Sequence, residues 1–148
     1  MRPLLNGYMP KVVYSRLFYI GFMMDIISSS DMEIYRKSAR KRQQALRESR
    51  RIRHEHAWEV ARRAASLLRK HFAASRVVVF GSLLRPEVFD ERSDVDMAVW
   101  GVTDEKYLRA VAAVTALDKE ISLDLIKMEP GLQSNVAISS QIEAGMEI

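Results

Sequence analysis

Residues 30–80 contain neither Gly nor Pro. With both helix-ending residues absent over so long a span, a long helix is expected to occupy much of it. Ser30, Asp31, Met32 and Glu33 have the spacing of a capping box, which places a helix start at Ser30. Leu46, Ala57, Val60, Ala61, Ala64, Leu67, Leu68 and Phe72 then approximate a helical stripe from residue 57 on, a face suited to a core. Residues 35–53 are dominated instead by Arg, Lys and Gln, so residues 32–56 read as a projecting basic helical arm.

Charge is divided along the chain in the same way. Residues 33–72 hold 13 Lys/Arg against 4 Asp/Glu, whereas residues 73–148 hold 7 against 13. A basic segment therefore precedes an acidic body. A length of 148 residues with 48% hydrophobic content suits one globular domain, expected over residues 32–148. No apolar run approaches the roughly 18 residues a membrane span needs. Zero Cys excludes disulfides and thiolate metal sites and fits a reducing cytoplasm, the expected location. Residues 1–31 read as a leader or misassigned start. Their apolar run from Val12 to Ile27 is interrupted by Arg16 and Asp25, a poor signal peptide, and Met32 is an alternative initiator.

Beyond the helix, residues 76–80 form a β-branched run expected to be buried on both faces, ending in Gly81-Ser82. Residues 94–100 alternate, with Val95, Met97 and Val99 on one face and Asp94, Asp96, Ala98 and Trp100 on the other. Thr103 is placed to cap a helix with Asp104 and Glu105 in its first turn, Leu108, Val111, Val114 and Leu117 on its apolar face, and Lys119 in its last turn. A third strand is expected over residues 121–126, and a closing helix over residues 132–145. The expected fold is α+β (or α/β), a small sheet flanked by helices.

Asp94 and Asp96, two residues apart on a strand, share a face at about 6.6 Å along the backbone, close enough to converge on one cation. Asp124, alone in an apolar strand, is costly to bury unless paired, hydrogen-bonded or bound to metal. If the two strands are neighbours, three carboxylates meet and repel until a divalent cation neutralises them. Oxygen ligands without His or Cys suit Mg²⁺ or Mn²⁺ rather than Zn²⁺. Gly81 at a strand end allows close approach of backbone N–H groups to a phosphate.

Gly81-Ser82-Leu83-Leu84-Arg85, followed by Ser93-Asp94-Val95-Asp96 and then Leu123-Asp124-Leu125, resembles the nucleotidyltransferase superfamily of DNA polymerase beta, and most closely its minimal members. The resemblance implies a small mixed sheet that holds two Mg²⁺ ions and transfers a nucleoside monophosphate, AMP from ATP in the expected case, to a hydroxyl. It implies that Asp94 and Asp96 bridge the metals, that Asp124 holds the catalytic metal and helps deprotonate the acceptor, and that Gly81, Ser82 and Arg85 bind phosphate. It also implies an antitoxin-like role, in which a HEPN-type ribonuclease toxin is bound and receives AMP on a tyrosine. The chain departs from the family's G-S-x-A-R-G pattern at Leu84-Arg85-Pro86, because Pro86 steers Arg85 away from the α region.

Two other functions compete with this one. The chain could be a catalytically silent module that masks a partner protein or binds RNA through residues 36–53, although those residues lack the aromatics that stack single strands. It could also modify a small molecule such as an antibiotic. The spacing of Arg51 and His56 matches an R-x4-H ribonuclease motif, which carries little weight in so Arg-rich a segment. His54 and His56 point to different sides of a helix and are not expected to share a metal, and His71 is expected at the surface. Trp58 and Trp100 read as core or interface anchors.

Overall fold

A computed structural model describes residues 29–129 and 136–148. The expected leader lies almost wholly outside the described residues, as do residues 132–135 of the expected closing helix. The chain divides into two units, residues 1–45 and 46–148. The described part of the first is helical and, apart from Ser38 and Ala39, exposed.

Helix α1 runs Ser29–Phe72, starting one residue before the expected cap at Ser30. Within the second unit, Ala57, Val60, Ala61, Ala64, Ala65 and Leu68 are buried, a stripe of mostly small side chains that lets the helix backbone approach the sheet closely. Arg69, Lys70 and His71 in the last turn favour the negative end of the helix dipole. The chain leaves the helix through Ala73 at φ 58°. The Ala74 N–H then donates to the Leu68 carbonyl at 3.2 Å, a C-terminal closure that Gly more often provides.

Strand β1 (Arg76–Phe80) is followed by a single 3₁₀ turn (Gly81–Leu84), then β2 (Val95–Trp100), α2 (Asp104–Thr115), β3 (Leu123–Lys127), α3 (Val136–Glu143) and β4 (Met146–Glu147). The four strands form a mixed sheet in the order β3-β2-β1-β4, which makes the fold α+β as expected. β1 pairs antiparallel with β2 and β4, and β2 pairs parallel with β3. A parallel pair needs a crossover, and α2 supplies it. One face of the sheet, with Val77, Val79, Val95, Met97, Val99, Leu123 and Leu125, joins the core formed with α1 and with Ala110 and Val114 of α2. The other, with Val78, Phe80 and Ala98, packs on Ile142 and Ile138 of α3. β1 is thus buried on both faces, and β2 alternates as its sequence implies.

Several boundaries differ from the sequence reading. β2 begins at Val95 rather than Asp94. β3 begins at Leu123 rather than Ile121, because the Asp118 carboxylate draws the N–H groups of Glu120 and Ile121 into a turn at 2.8 and 2.9 Å. The same turn stops α2 at Thr115 rather than near Lys119, with the Leu117 N–H closing onto Val114 at 3.1 Å. Thr103 holds the N-cap position but makes no side-chain cap bond. Leu108 is 76% exposed, while Tyr107, Ala110 and Val114 face inward. The basic arm does not extend to residue 56, since Arg53, His54 and His56 are hydrogen-bonded to other segments of the second unit.

Strand β4 has no counterpart in the sequence reading. It is held by the Ile148 N–H to Val77 carbonyl bond at 3.1 Å and by the Arg76 to Glu147 pair at 2.9 Å. Gly145 admits the strand, because a Cβ there would lie 2.7 Å from the Val79 carbonyl oxygen and 2.5 Å from Val78 Cγ1. Gly145→Ala should therefore cost about 1–3 kcal/mol through overpacking against backbone that cannot yield. Denaturant unfolding checks this, and an unchanged midpoint would mean that β4 is not packed as described.

Candidate metal centre

The register of the parallel pair sets Asp96 directly beside Asp124, with both side chains on the sheet face that carries Ala98 and Ile126. Asp94 stands one residue before β2, in the alternate position that shares this face. One carboxylate oxygen from each of Asp94, Asp96 and Asp124 lies within 4.8 Å of the other two. Asp94 and Asp96 are half-buried and Asp124 is exposed. The three aspartates singled out in the sequence are thus brought together.

Asp96 is the most constrained of the three. It pairs across the sheet with Phe80, which is 4% exposed, so the Asp96 carboxyl stands against apolar surface on that side. Burial first, and then the charges of Asp94 and Asp124, push its pKa up to about 6. Gly81 follows Phe80 at φ +76°, a conformation that favours glycine, and a Cβ there would stand 2.4 Å from Asp96 Oδ2. The glycine thus serves both the turn and the approach of the carboxylate.

Ser82 is half-buried in the 3₁₀ turn, which closes through the Arg85 N–H donating to the Ser82 carbonyl at 3.0 Å. Arg85 is exposed with φ −126° and ψ 85°, outside the α region as Pro86 requires. With Gly81, Leu84, Gln141 and Ala144 it lines a shallow recess of about 330 Å³. The phosphate-binding candidates Gly81 and Arg85 therefore share one surface, bordered by α3.

Sequence reasoning did not assign the groups that brace this site. The His54 imidazole lies 2.8 Å from the Leu83 carbonyl oxygen through Nε2, and since a carbonyl only accepts, Nε2 carries the proton. Its ring meets buried Phe89 edge-on at 5.1 Å between centroids. His56 bonds Asp118 at 2.9 Å. Burial would raise the Asp118 pKa, but the N–H groups of Ile121 and Glu120 together with His56 outweigh it and hold the carboxyl below its usual range. Arg53 donates to the carbonyls of Asp90, Ser93 and Glu120 at 3.2, 3.3 and 3.2 Å. Arg51, by contrast, is occupied by Glu48 and Glu55 at 2.7 and 2.6 Å, so the Arg51 to His56 spacing builds no shared site. Nothing in the spacing of Arg53, His54 and His56 announces which distant carbonyl or carboxylate each will meet.

The raised Asp96 pKa gives a pH dependence. The folded chain holds the Asp96 proton up to about pH 6, whereas the ordinary value is 3.8. Folding therefore favours the protonated form, and metal-free stability falls as pH rises from about 4 to about 6, then stays lower. Asp96→Asn should remove this loss. At pH 7 it should be more stable by about 1 kcal/mol, after discounting for partial exposure, with the advantage vanishing below about pH 4. Thermal unfolding of both forms from pH 3.5 to 8 measures the difference, and parallel profiles would assign the dependence to another group. No protein-family model and no curated protein matches this chain.

Proposed function

We propose that this chain is a Mg²⁺-dependent nucleotidyltransferase that moves a nucleoside monophosphate, AMP from ATP in the expected case, to a hydroxyl. The observation that carries the reading is the convergence of three carboxylate oxygens within 4.8 Å, beside a glycine whose missing Cβ leaves the approach open. The donor set fits the metal. An octahedral Mg²⁺ with ligands at about 2.0–2.1 Å places its oxygens about 3 to 4 Å apart, so small side-chain rotations gather these three. The donors are all carboxylate oxygen, the set that Mg²⁺ or Mn²⁺ takes in preference to Zn²⁺.

In this reading Asp94 and Asp96 hold the cations, and Asp124 completes the site from the exposed side, where an incoming hydroxyl can reach it. Bound divalent ions supply neutralisation of the entering and leaving oxygens of an in-line displacement. The acceptor oxygen bonds to the α-phosphorus, the bond to pyrophosphate breaks, and the hydroxyl proton passes to Asp124 or to solvent. Gly81 and Ser82 border the path of the triphosphate, with Arg85 at its outer edge. The acceptor surface is completed by a second molecule. Following the family resemblance, that molecule is a partner protein of the HEPN ribonuclease class, neutralised by attachment of AMP.

The test incubates the chain with α-labelled ATP and Mg²⁺, with and without proteins co-purified from its host. Label is expected on a protein, and Asp94→Asn or Asp96→Asn should lower transfer about a hundredfold or more while the chain stays folded. Full transfer by either variant would remove the two-metal reading. Label on RNA or on a small molecule would replace the protein acceptor and leave the carboxylates their role.

A further inference from the structure

We propose that Arg53 of α1 is a positioning residue for the metal centre, holding in place the two chain segments that deliver Asp94 and Asp124. This rests on the metal-centre reading above. The Arg53 guanidinium is half-buried and donates through Nε to the Asp90 carbonyl, through Nη2 to the Ser93 carbonyl and through Nη1 to the Glu120 carbonyl. Ser93 is the residue immediately before Asp94. Glu120 lies in the Asp118 turn that leads into β3 and Asp124. The two segments come from opposite ends of the β2-α2-β3 crossover, and one planar group spans them.

The surroundings restrict what else could do this. The segment before Asp94 is organised internally by an Asp90 to Ser93 turn, in which the Asp90 N–H donates to Ser93 Oγ at 2.9 Å and the Arg92 N–H to Asp90 Oδ1 at 2.9 Å. It joins the second segment through the Val95 N–H to Ser122 carbonyl bond at 2.9 Å, the first rung beside the site. Arg53 adds the outer tie on the far side of that rung, so Asp94 and Asp124 are fixed from both directions. Three carboxylates that repel one another would otherwise spread, and among the described residues the backbone before Asp94 has no strand partner of its own to resist this. A guanidinium is suited to the task, since its donors leave one rigid plane in several directions, whereas a Lys ammonium is a point donor on a flexible stem.

The proposal predicts a sign that a simple charge effect would reverse. Removing a cation near a metal site should tighten divalent-cation binding through the field alone. Loss of positioning should weaken it. The experiment titrates the full chain with Mn²⁺, followed by electron paramagnetic resonance, for wild type, Arg53→Gln, Arg53→Lys and the exposed control Arg47→Gln. Amide hydrogen exchange is measured on the same metal-free proteins. Arg53→Gln is expected to bind Mn²⁺ about tenfold more weakly, and Arg53→Lys to be weakened as well although its charge is kept. Both should show faster exchange at residues 93–95 and 122–124, and Arg47→Gln should match wild type. Should Arg53→Gln fail to fold, Arg53→Lys carries the comparison. Unchanged or tighter Mn²⁺ binding in the folded Arg53 variants, with lowered melting temperature alone, would reduce Arg53 to a fold-stabilising contact and overturn the proposal. Failure of wild type to bind Mn²⁺ would instead remove the metal-centre reading. Exchange at residues 93–95 and 122–124 would then decide the role of Arg53, with rates unchanged from wild type overturning it.

Discussion

The parallel pairing of β2 with β3 is the constraint on which the rest of the site depends. Its register puts Asp96 next to Asp124 in the same pleat, and the alternate position before the strand adds Asp94. Such a pairing is unfavourable in itself, because like charges side by side on neighbouring strands repel. It persists because both strands are committed by their other residues. Val95, Met97, Val99, Leu123 and Leu125 are buried on the opposite face, and a shift of β3 by one residue would take Leu123 and Leu125 out of that core. The hydrophobic face thus fixes the position of the carboxylates in spite of their mutual repulsion.

Helix α1 has two roles in the second unit. Its C-terminal half is a core element built on alanines, which let the helix lie close to the sheet. One turn earlier, Arg53, His54 and His56 reach past that core to the segments entering or leaving each site strand: the turn after β1, the loop before β2 and the turn before β3. A helix that packs on a sheet touches its strands, but this one also fixes the loops at their ends. The loops that flank the carboxylates are therefore bonded to a helix remote from them in sequence.

The two sides of the site differ in exposure. Asp96 is enclosed by Phe80 and the Gly81 turn, whereas Asp124 on the edge strand is open to solvent. That asymmetry is compatible with the proposed transfer, in which one substrate is held near the turn and the other arrives from outside. Burial is the leading cause of the raised Asp96 pKa, ahead of the charges of Asp94 and Asp124.

Much of this was legible in the sequence, and for identifiable reasons. The absence of Gly and Pro over residues 30–80 fixed a long helix, alternation in residues 94–100 fixed which side chains share a face with Asp96, and Gly81 after a β-branched run fixed the turn. These are local properties, carried by backbone preference and by periods of two and 3.6 residues. The strand at Met146–Glu147 and the orientation of Leu108 were not legible, because each depends on packing against segments distant in sequence, and the ends of β3 and α2 were missed because a local side-chain turn at Asp118 sets them. The Asp118 carboxylate decided two of those boundaries by capturing the N–H groups of Glu120 and Ile121. The sequence by itself determined that Asp94 and Asp96 share one strand face, that Asp124 stands among the apolar residues of another strand, and that a glycine turn follows a third. Only the tertiary structure decided that β2 and β3 are parallel neighbours in the register that joins the aspartates. It also decided that a residue read as part of a basic arm, Arg53, is bonded to the loops beside them, since a guanidinium's partners are set by which carbonyls the packed chain brings within reach.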